Sequence, residues 1–174
     1  MRQIRPIADA DRARLADALI QSWGSTLMDT RGRLVDVLTL PGFVAEDDGN
    51  WIGYLSYEDR AGVIEIVVLE SLLEGQGVAS ALLARCAEAA IAVAARRLWL
   101  LTSNDNMLAL RFYQRRGFAL VAVHRDAITH ARATLKPEIP LTGKYDIPLR
   151  DEIELELPRA AWAGFIERYS WPSS

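Results

Sequence analysis

The chain of 174 residues holds one cysteine, Cys86, and two histidines, His124 and His130. A single thiol excludes an internal disulfide framework. Two histidines with no further ligands at regular spacing give no metal site. Cys86 lies among alanines and leucines, where it reads as a small buried hydrophobe rather than a reactive thiol. There is no surplus of positive charge: 20 basic against 23 acidic residues leave a net charge of −3, and the two signs are interspersed. That removes the electrostatic case for nucleic acid or an anionic membrane as partner. No apolar run reaches the roughly 20 residues that cross a bilayer, and Met1–Ile7 is too short and polar for a signal peptide, so the expected location is the cytoplasm. Repeats and low-complexity tracts are also missing. What is there is an ordinary mix, 51% hydrophobic and 25% charged, in a length that fits one domain with its own core.

The most informative stretch runs from Ala61 to Ala95. Val63–Leu69 is β-branched with one charge, which predicts a buried strand. Ser80–Ala90 is dense in strong helix formers. Between them lies Glu74-Gly75-Gln76-Gly77-Val78-Ala79. Strand, tight glycine turn and helix in succession aim several backbone N–H groups and the positive end of a helix dipole at one spot, which is an anion site. Glycine at 75 and 77 permits φ > 0 and close approach of backbone to a phosphate.

Elsewhere, Gln3–Ile7 predicts a short first strand. Asp9 or Asp11 caps a helix through Trp23, with Leu15, Leu19 and Ile20 on one face. Arg31-Gly32-Arg33 reads as a turn, and Leu34, Val35 and Leu38 as a short second helix. Phe43–Glu46 and Trp51–Tyr57 flank Asp47-Asp48-Gly49-Asn50 as a hairpin, and a second turn leads into the Val63 strand, giving an antiparallel meander. After the long helix, Arg97–Thr102 predicts a strand parallel to Val63–Leu69. A helix over Asn106–Arg116 stops at Gly117, followed by a strand over Phe118–His124. Arg125–Arg150 is a long connection, with a short helix near Ala127–Leu135. Ile153–Leu157 alternates as a last strand buried on one face. Trp162, Phe165, Ile166 and Tyr169 recur at helical spacing in a tail that either packs back or forms a dimer contact. The whole predicts a mixed α/β (α+β) sheet with flanking helices.

Two separated segments carry a resemblance. Glu74-Gly75-Gln76-Gly77-Val78-Ala79 looks like the Gln/Arg-x-x-Gly-x-Gly/Ala turn of the GNAT acetyltransferase superfamily. Asn106-Met107-Leu108-Ala109, continuing through Tyr113 to Gly117-Phe118, matches its Asn-x-x-Ala helix. In this order and on these elements the chain resembles that superfamily over about residues 2–157. The expected division is therefore a GNAT-like domain over 1–157 and a C-terminal tail over 158–174. The resemblance implies acetyl-CoA as cosubstrate, with its pyrophosphate on the amides of Gly75, Gln76, Gly77, Val78 and Ala79 and a further donor from Ser80. It also implies that a backbone N–H near Leu69 stabilises the oxyanion, that Asn106 orients the pantetheine arm besides capping its helix, and that Tyr113 protonates the leaving thiolate. Without the resemblance Tyr113 would read as a core aromatic. Glu74 departs from the family's Gln or Arg. Beside a pyrophosphate, a carboxylate costs roughly 1 kcal/mol per charge pair in a water-like dielectric. Each backbone bond to a charged oxygen contributes about 1.5–3 kcal/mol. The departure therefore bears on affinity rather than on which cofactor binds.

The candidate base is Glu65, the lone carboxylate in an apolar strand, where burial raises its pKa. Glu70 and ordered water are the alternatives. Without a bulge, alternation puts residues 65, 67 and 69 on one face and Glu70 on the other. The acceptor is expected between the Trp23–Asp36 region and the Arg125–Arg150 connection. Arg31, Arg33, Asp36, Arg125, Asp126, Arg132 and Asp146 there fit a small polar or amino-acid-like amine, and His124 is either a cleft residue or a surface one. The expected activity is acetyl-CoA-dependent N-acetylation of a primary amine of a small molecule or peptide. The alternatives are transfer of a longer acyl group or to a hydroxyl, or a non-catalytic acyl-CoA sensor. A homodimer is the default assembly.

Overall fold

Three two-residue turns set the register of the first half. Asp48-Gly49, Ala61-Gly62 and Arg31-Gly32 each place both residues at positive φ, between 48° and 79°. This is the geometry that matches the twist of a tight hairpin. The computed structural model describes residues 1–171. In it the first of these turns joins β4 (Gly42–Asp47) to β5 (Asn50–Asp59), and the second joins β5 to β6 (Val63–Ser71). The third overturns the expected helix at Leu34–Leu38. Thr30 and Arg33 exchange backbone hydrogen bonds across Arg31-Gly32, which pairs β2 (Leu27–Asp29) with β3 (Leu34–Asp36) as a separate small hairpin. Only Val37–Thr39 is helical, as a single 3₁₀ turn capped by the Asp36 carboxylate accepting from the Leu38 amide at 3.1 Å.

The remaining elements are β1 (Arg2–Pro6), α1 (Arg12–Trp23), α2 (Val78–Ala92), β7 (Arg97–Ser103), α3 (Met107–Gln114), β8 (Ala119–His124), α4 (Ala127–Thr134), β9 (Glu152–Glu156) and α5 (Trp162–Tyr169). Seven strands form one mixed sheet in the order β1-β4-β5-β6-β7-β9-β8. The expected antiparallel meander and the parallel β6–β7 pair are both present. α2, long and apolar, is the crossover between the parallel strands. It lies close against the sheet because Gly53 leaves room: a Cβ there would stand 2.7 Å from both the Glu70 carbonyl and Val78.

Each face of the sheet has its own core. On one, α2 covers Phe43, Leu55, Ile64, Ile66, Leu98 and Leu100. On the other, α1 brings Leu15 and Leu19 onto Val44, Tyr54 and Val68. Ile20 takes no part, being 56% exposed, because the α1 contact is one narrow stripe four residues apart. Cys86 is fully buried and burial pushes its thiol pKa up, so it packs as a hydrophobe. α5 packs on α2: Trp162 and Phe165 are buried, and the Trp162 indole donates to the Leu157 carbonyl at 2.8 Å. Residues 172–174 of the tail lie outside the described residues. No helix among the described residues is long and apolar enough to cross a membrane.

Replacing Trp162, 2% exposed, should therefore act as a core deletion. Trp162→Ala is expected to lower stability by about 3–5 kcal/mol, read from the urea midpoint of unfolding.

Candidate active site

One extra residue opens the sheet. β5 pairs with β6 in regular register up to Ser56↔Val68 and resumes at Tyr57↔Ile66, so Val67 is a bulge with no partner. On the other side, β6 pairs with β7 only from Val63↔Arg97 to Ile66↔Leu100. Both strands continue, to Ser71 and Ser103, but no longer paired. A bulge bends its strand and raises its twist, and here it marks the point where the parallel pair separates. The Leu72 amide donates to Ile52 on β5. Alternation in an antiparallel ladder then turns the Leu69 N–H away from β5, toward the opened side.

A cleft of about 520 Å³ fills the wedge. Val67, Leu69 and Leu101 line its strand walls, Asn106 and Tyr113 come from α3, and Trp23, Met28 and Asp29 from the far side. The remaining wall is the long connection, through Ile128, Lys136, Pro140 and Leu149. That connection has little core of its own and is held by polar ties. Arg132 donates to the carbonyls of Ile139, Pro140 and Leu149 at 2.9, 2.8 and 2.6 Å. Asn104 accepts from the amides of Arg150 and Asp151, and Asp105 from that of Lys144. Lys136 Nζ donates to the Leu27 carbonyl at 3.0 Å, joining this wall to the β2–β3 hairpin.

Tyr113 is nearly buried, wedged edge-on to Phe112 with ring centroids 5.1 Å apart and tilted on Phe118 at 5.2 Å. Burial pushes its phenol pKa up, so at neutral pH it keeps its proton. It is thus both a core aromatic and a cleft residue. Asn106 caps α3, its side-chain oxygen accepting from the Ala109 amide at 3.3 Å.

The carboxylates are arranged differently from the sequence expectation. The Val67 bulge shifts the alternation, so that Glu65 and Glu70 share the α1 face while Leu69 points into the α2 core. Glu65 is buried and accepts a hydrogen bond from the Thr30 hydroxyl. It lines not the cleft but a second cavity of about 860 Å³ with Arg31, Arg60 and Trp99. Burial raises the pKa of Glu65 and of the half-buried Glu70. β9 runs inside the sheet between β7 and β8, and on its polar face Glu152 and Glu154 are buried while Glu156 is half-buried. Glu154 pairs with Arg97 and His124, and Glu156 with Arg97; His124 is thereby a partner of Glu154. Glu152, 7% exposed, opens into the cleft, and its Oε2 has no hydrogen-bond partner among the described residues. Burial first, then the charges of Asp29 and Glu65, push its pKa up to about 7. Asp29 Oδ1 is likewise without a partner, and burial raises its pKa too. The sequence offered a weak signal for Glu152, three glutamates alternating with apolar residues at 152–156, but nothing that singled one out. Arg33, Asp36 and Arg132 are engaged structurally, with Glu58 at 2.5 Å, the Leu38 amide and the loop carbonyls respectively.

The glycine bend lies apart from the cleft, at the N-terminus of α2. Gly75 and Gly77 are left-handed, with φ +71° and +78° and nothing within 4 Å of a Cβ. Conformation rather than crowding within the chain requires glycine there. No side chain caps α2, which leaves its first amides open to an anion. Gln76 accepts from Arg2 through its side chain, and Glu74 is exposed. Ser80 is buried, its hydroxyl accepting from Arg116 Nε at 2.8 Å, so it faces the protein and not the open side of the bend.

Residues 13–118 match the acetyltransferase (GNAT) family. A protein of Bacillus subtilis (strain 168), named YxbD, is 36% identical over 143 residues, covering 81% of this chain and 89% of its own. Among solved structures, the IAA acetyltransferase from Bacillus cereus ATCC 14579 superposes with a TM-score of 0.69 at 21% identity, over 90% of this chain and 99% of that one. The yncA putative acetyltransferase from Salmonella typhimurium, solved with acetyl-CoA, gives 0.63 at 19% identity, over 91% and 94%. At such identities these two likenesses are of fold alone.

The buried carboxyl of Glu152 carries a pH signature. Its ordinary pKa is 4.5 and its folded value about 7, so between these pH values the folded chain holds a proton that the unfolded chain has released. Stability due to this group is full below the window and is lost as pH rises through it. Glu152→Gln is expected to flatten that decline, read from denaturant midpoints on either side of the window.

Proposed function

The chain belongs to the acetyltransferase (GNAT) family, and from that premise we propose that it moves an acetyl group from acetyl-CoA to a primary amine of a small molecule or peptide. The observation that carries this reading is the convergence of Tyr113, the Leu69 strand edge and Glu152 on one cleft, with Leu69 on the strand that leads into the uncapped N-terminus of α2. The open amides of the Gly75–Ala79 bend suit a diphosphate, and the separated β6–β7 edge suits an extended arm that pairs with it as a strand would.

Acetyl-CoA supplies a thioester already activated toward amines. Glu152 accepts the proton that the amine loses as its nitrogen bonds to the acetyl carbon. A carboxylate poised near neutral pH suits that task better than one at its ordinary value. Glu65, whose oxygen is engaged by Thr30 in a separate cavity, is a supporting charge rather than the base. The Leu69 N–H receives the negative charge that develops on the acetyl oxygen. As the carbon–sulfur bond breaks, Tyr113, kept neutral by burial, donates its proton to the thiolate. Thiol and amide leave, Glu152 releases its proton to solvent, and solvent restores the phenol proton.

Thiol release against a panel of amines tests the reading. Tyr113→Phe is expected to lower kcat by about a hundredfold with CoA affinity nearly unchanged, and full-speed turnover would remove Tyr113 from the mechanism. Glu152→Gln is expected to lower kcat by a similar factor. In the native enzyme kcat/KM should rise with pH through about 7, the Glu152 value, which burial raises most, Asp29 from the hairpin and Glu65 from β6 raise further, and Arg31 opposes. A protein that binds acetyl-CoA yet releases no thiol with any amine would be a sensor.

A further inference from the structure

Two carboxylates that each bear a buried oxygen without a partner line the same cleft, and the Asp29 carboxylate also draws on the Gly32 and Arg33 amides. Glu152 Oε2 comes from β9 and Asp29 Oδ1 from the end of β2. Elsewhere on this face Glu154 and Glu156 are paired with Arg97, Glu154 also with His124, and Glu58 with Arg33, while Glu65 is held by the Thr30 hydroxyl. The one cation on the cleft wall, Lys136, is engaged by the Leu27 carbonyl and stands 3.9 Å from Glu138. Leaving a buried acceptor unpaired costs its full desolvation, more so for a charged group. Glu65, held by Thr30 next to Asp29 in the chain, adds negative charge behind the pair. The same cleft has aliphatic lining from Met28, Ile66, Val67, Leu101 and Ile128.

Resting on the acetyltransferase reading, we infer that the acceptor is a short aliphatic diamine, with its reacting amine at Glu152 and its second, permanently protonated amine on Asp29. A monoamine would satisfy one oxygen and leave the other orphaned. A diamine satisfies both, and its methylene chain lies against the apolar walls. Asp29 is in this assignment a binding residue that sets specificity, taking no part in the proton transfers.

Calorimetry on the whole chain saturated with CoA, which has no acetyl group to transfer, separates this from catalysis. Diaminobutane is expected to bind about tenfold or more tightly than n-butylamine, as a second charged contact would give. Measured well above pH 7, where Glu152 is ionised whether or not Asp29 is charged, Asp29→Asn should abolish that difference, with n-butylamine affinity changing less than diaminobutane affinity and the far-ultraviolet circular dichroism spectrum unchanged. Glu152→Gln should weaken both amines. Equal affinities in the native chain, no binding of either amine, or a preference that survives Asp29→Asn would each overturn the inference. Diamine selectivity without thiol release from acetyl-CoA would leave it standing and sink the catalytic reading. Thiol release with equal affinities would do the reverse.

Discussion

Everything at the site depends on the place where β6 stops pairing with β7. A parallel pair buried on both faces would normally run to the ends of its strands, since an unpaired backbone edge away from water is costly. The unpartnered Val67 prevents this. It bends β6, ends the ladder at Ile66 and frees the amide edge around Leu69. It also carries Glu70 to the face of Glu65 and leaves Leu69 over the α2 core. The wedge between the separated strands is the cleft, and each of its walls is fixed to one side of that opening: α3 with Tyr113 after β7, the β2–β3 hairpin over the α1 face, and the long connection around the β9 end.

The electrostatics of that face follow from strand order. β9 enters the sheet between β7 and β8, and of its three alternating glutamates Glu152 and Glu154 are buried and Glu156 half-buried. Arg97 on β7 pairs with two of them, Glu154 and Glu156, and His124 on β8 is hydrogen-bonded to Glu154. Glu152, at the end where the sheet has opened, has no such partner. A carboxylate left in that state costs stability and gains a proton affinity near neutral pH, the usual relation between a strained or unsatisfied group and chemical use. The long connection shows the complementary solution. With few apolar side chains to anchor it, it is held by Arg132, Asn104 and Asp105 reaching its backbone, which keeps the cleft wall in place without a core of its own.

The elements governed by local chemistry were legible. The strand–glycine–helix unit, the Asn106 cap, the long α2, and the hairpins at Asp48-Gly49 and Ala61-Gly62 all follow from rules that act over a few residues. Arg31-Gly32 obeys the same turn rule, and its misreading came from weighing the spacing of Leu34, Val35 and Leu38 above the turn. The alternation of β6 failed for a different reason: a bulge is set by the partner strand, and nothing in Val63–Leu69 marks which valine will lack a partner. Ser80 was assigned to the open side of the bend, but Arg116, 36 residues away, holds it on the protein side.

The amino-acid sequence by itself determined the order of strands and helices outside the β2–β3 hairpin, the mixed sheet, the glycine bend and the family, because propensity, turn geometry and short motifs are properties of neighbouring residues. Only the tertiary structure decided which carboxylate stands in the cleft. Glu65 and Glu152 are each a strand glutamate followed by an isoleucine. What separates them is burial, the Thr30 hydroxyl that engages one, and the missing cation that leaves the other bare, and these are set by segments distant in the chain and brought together only when the sheet closes.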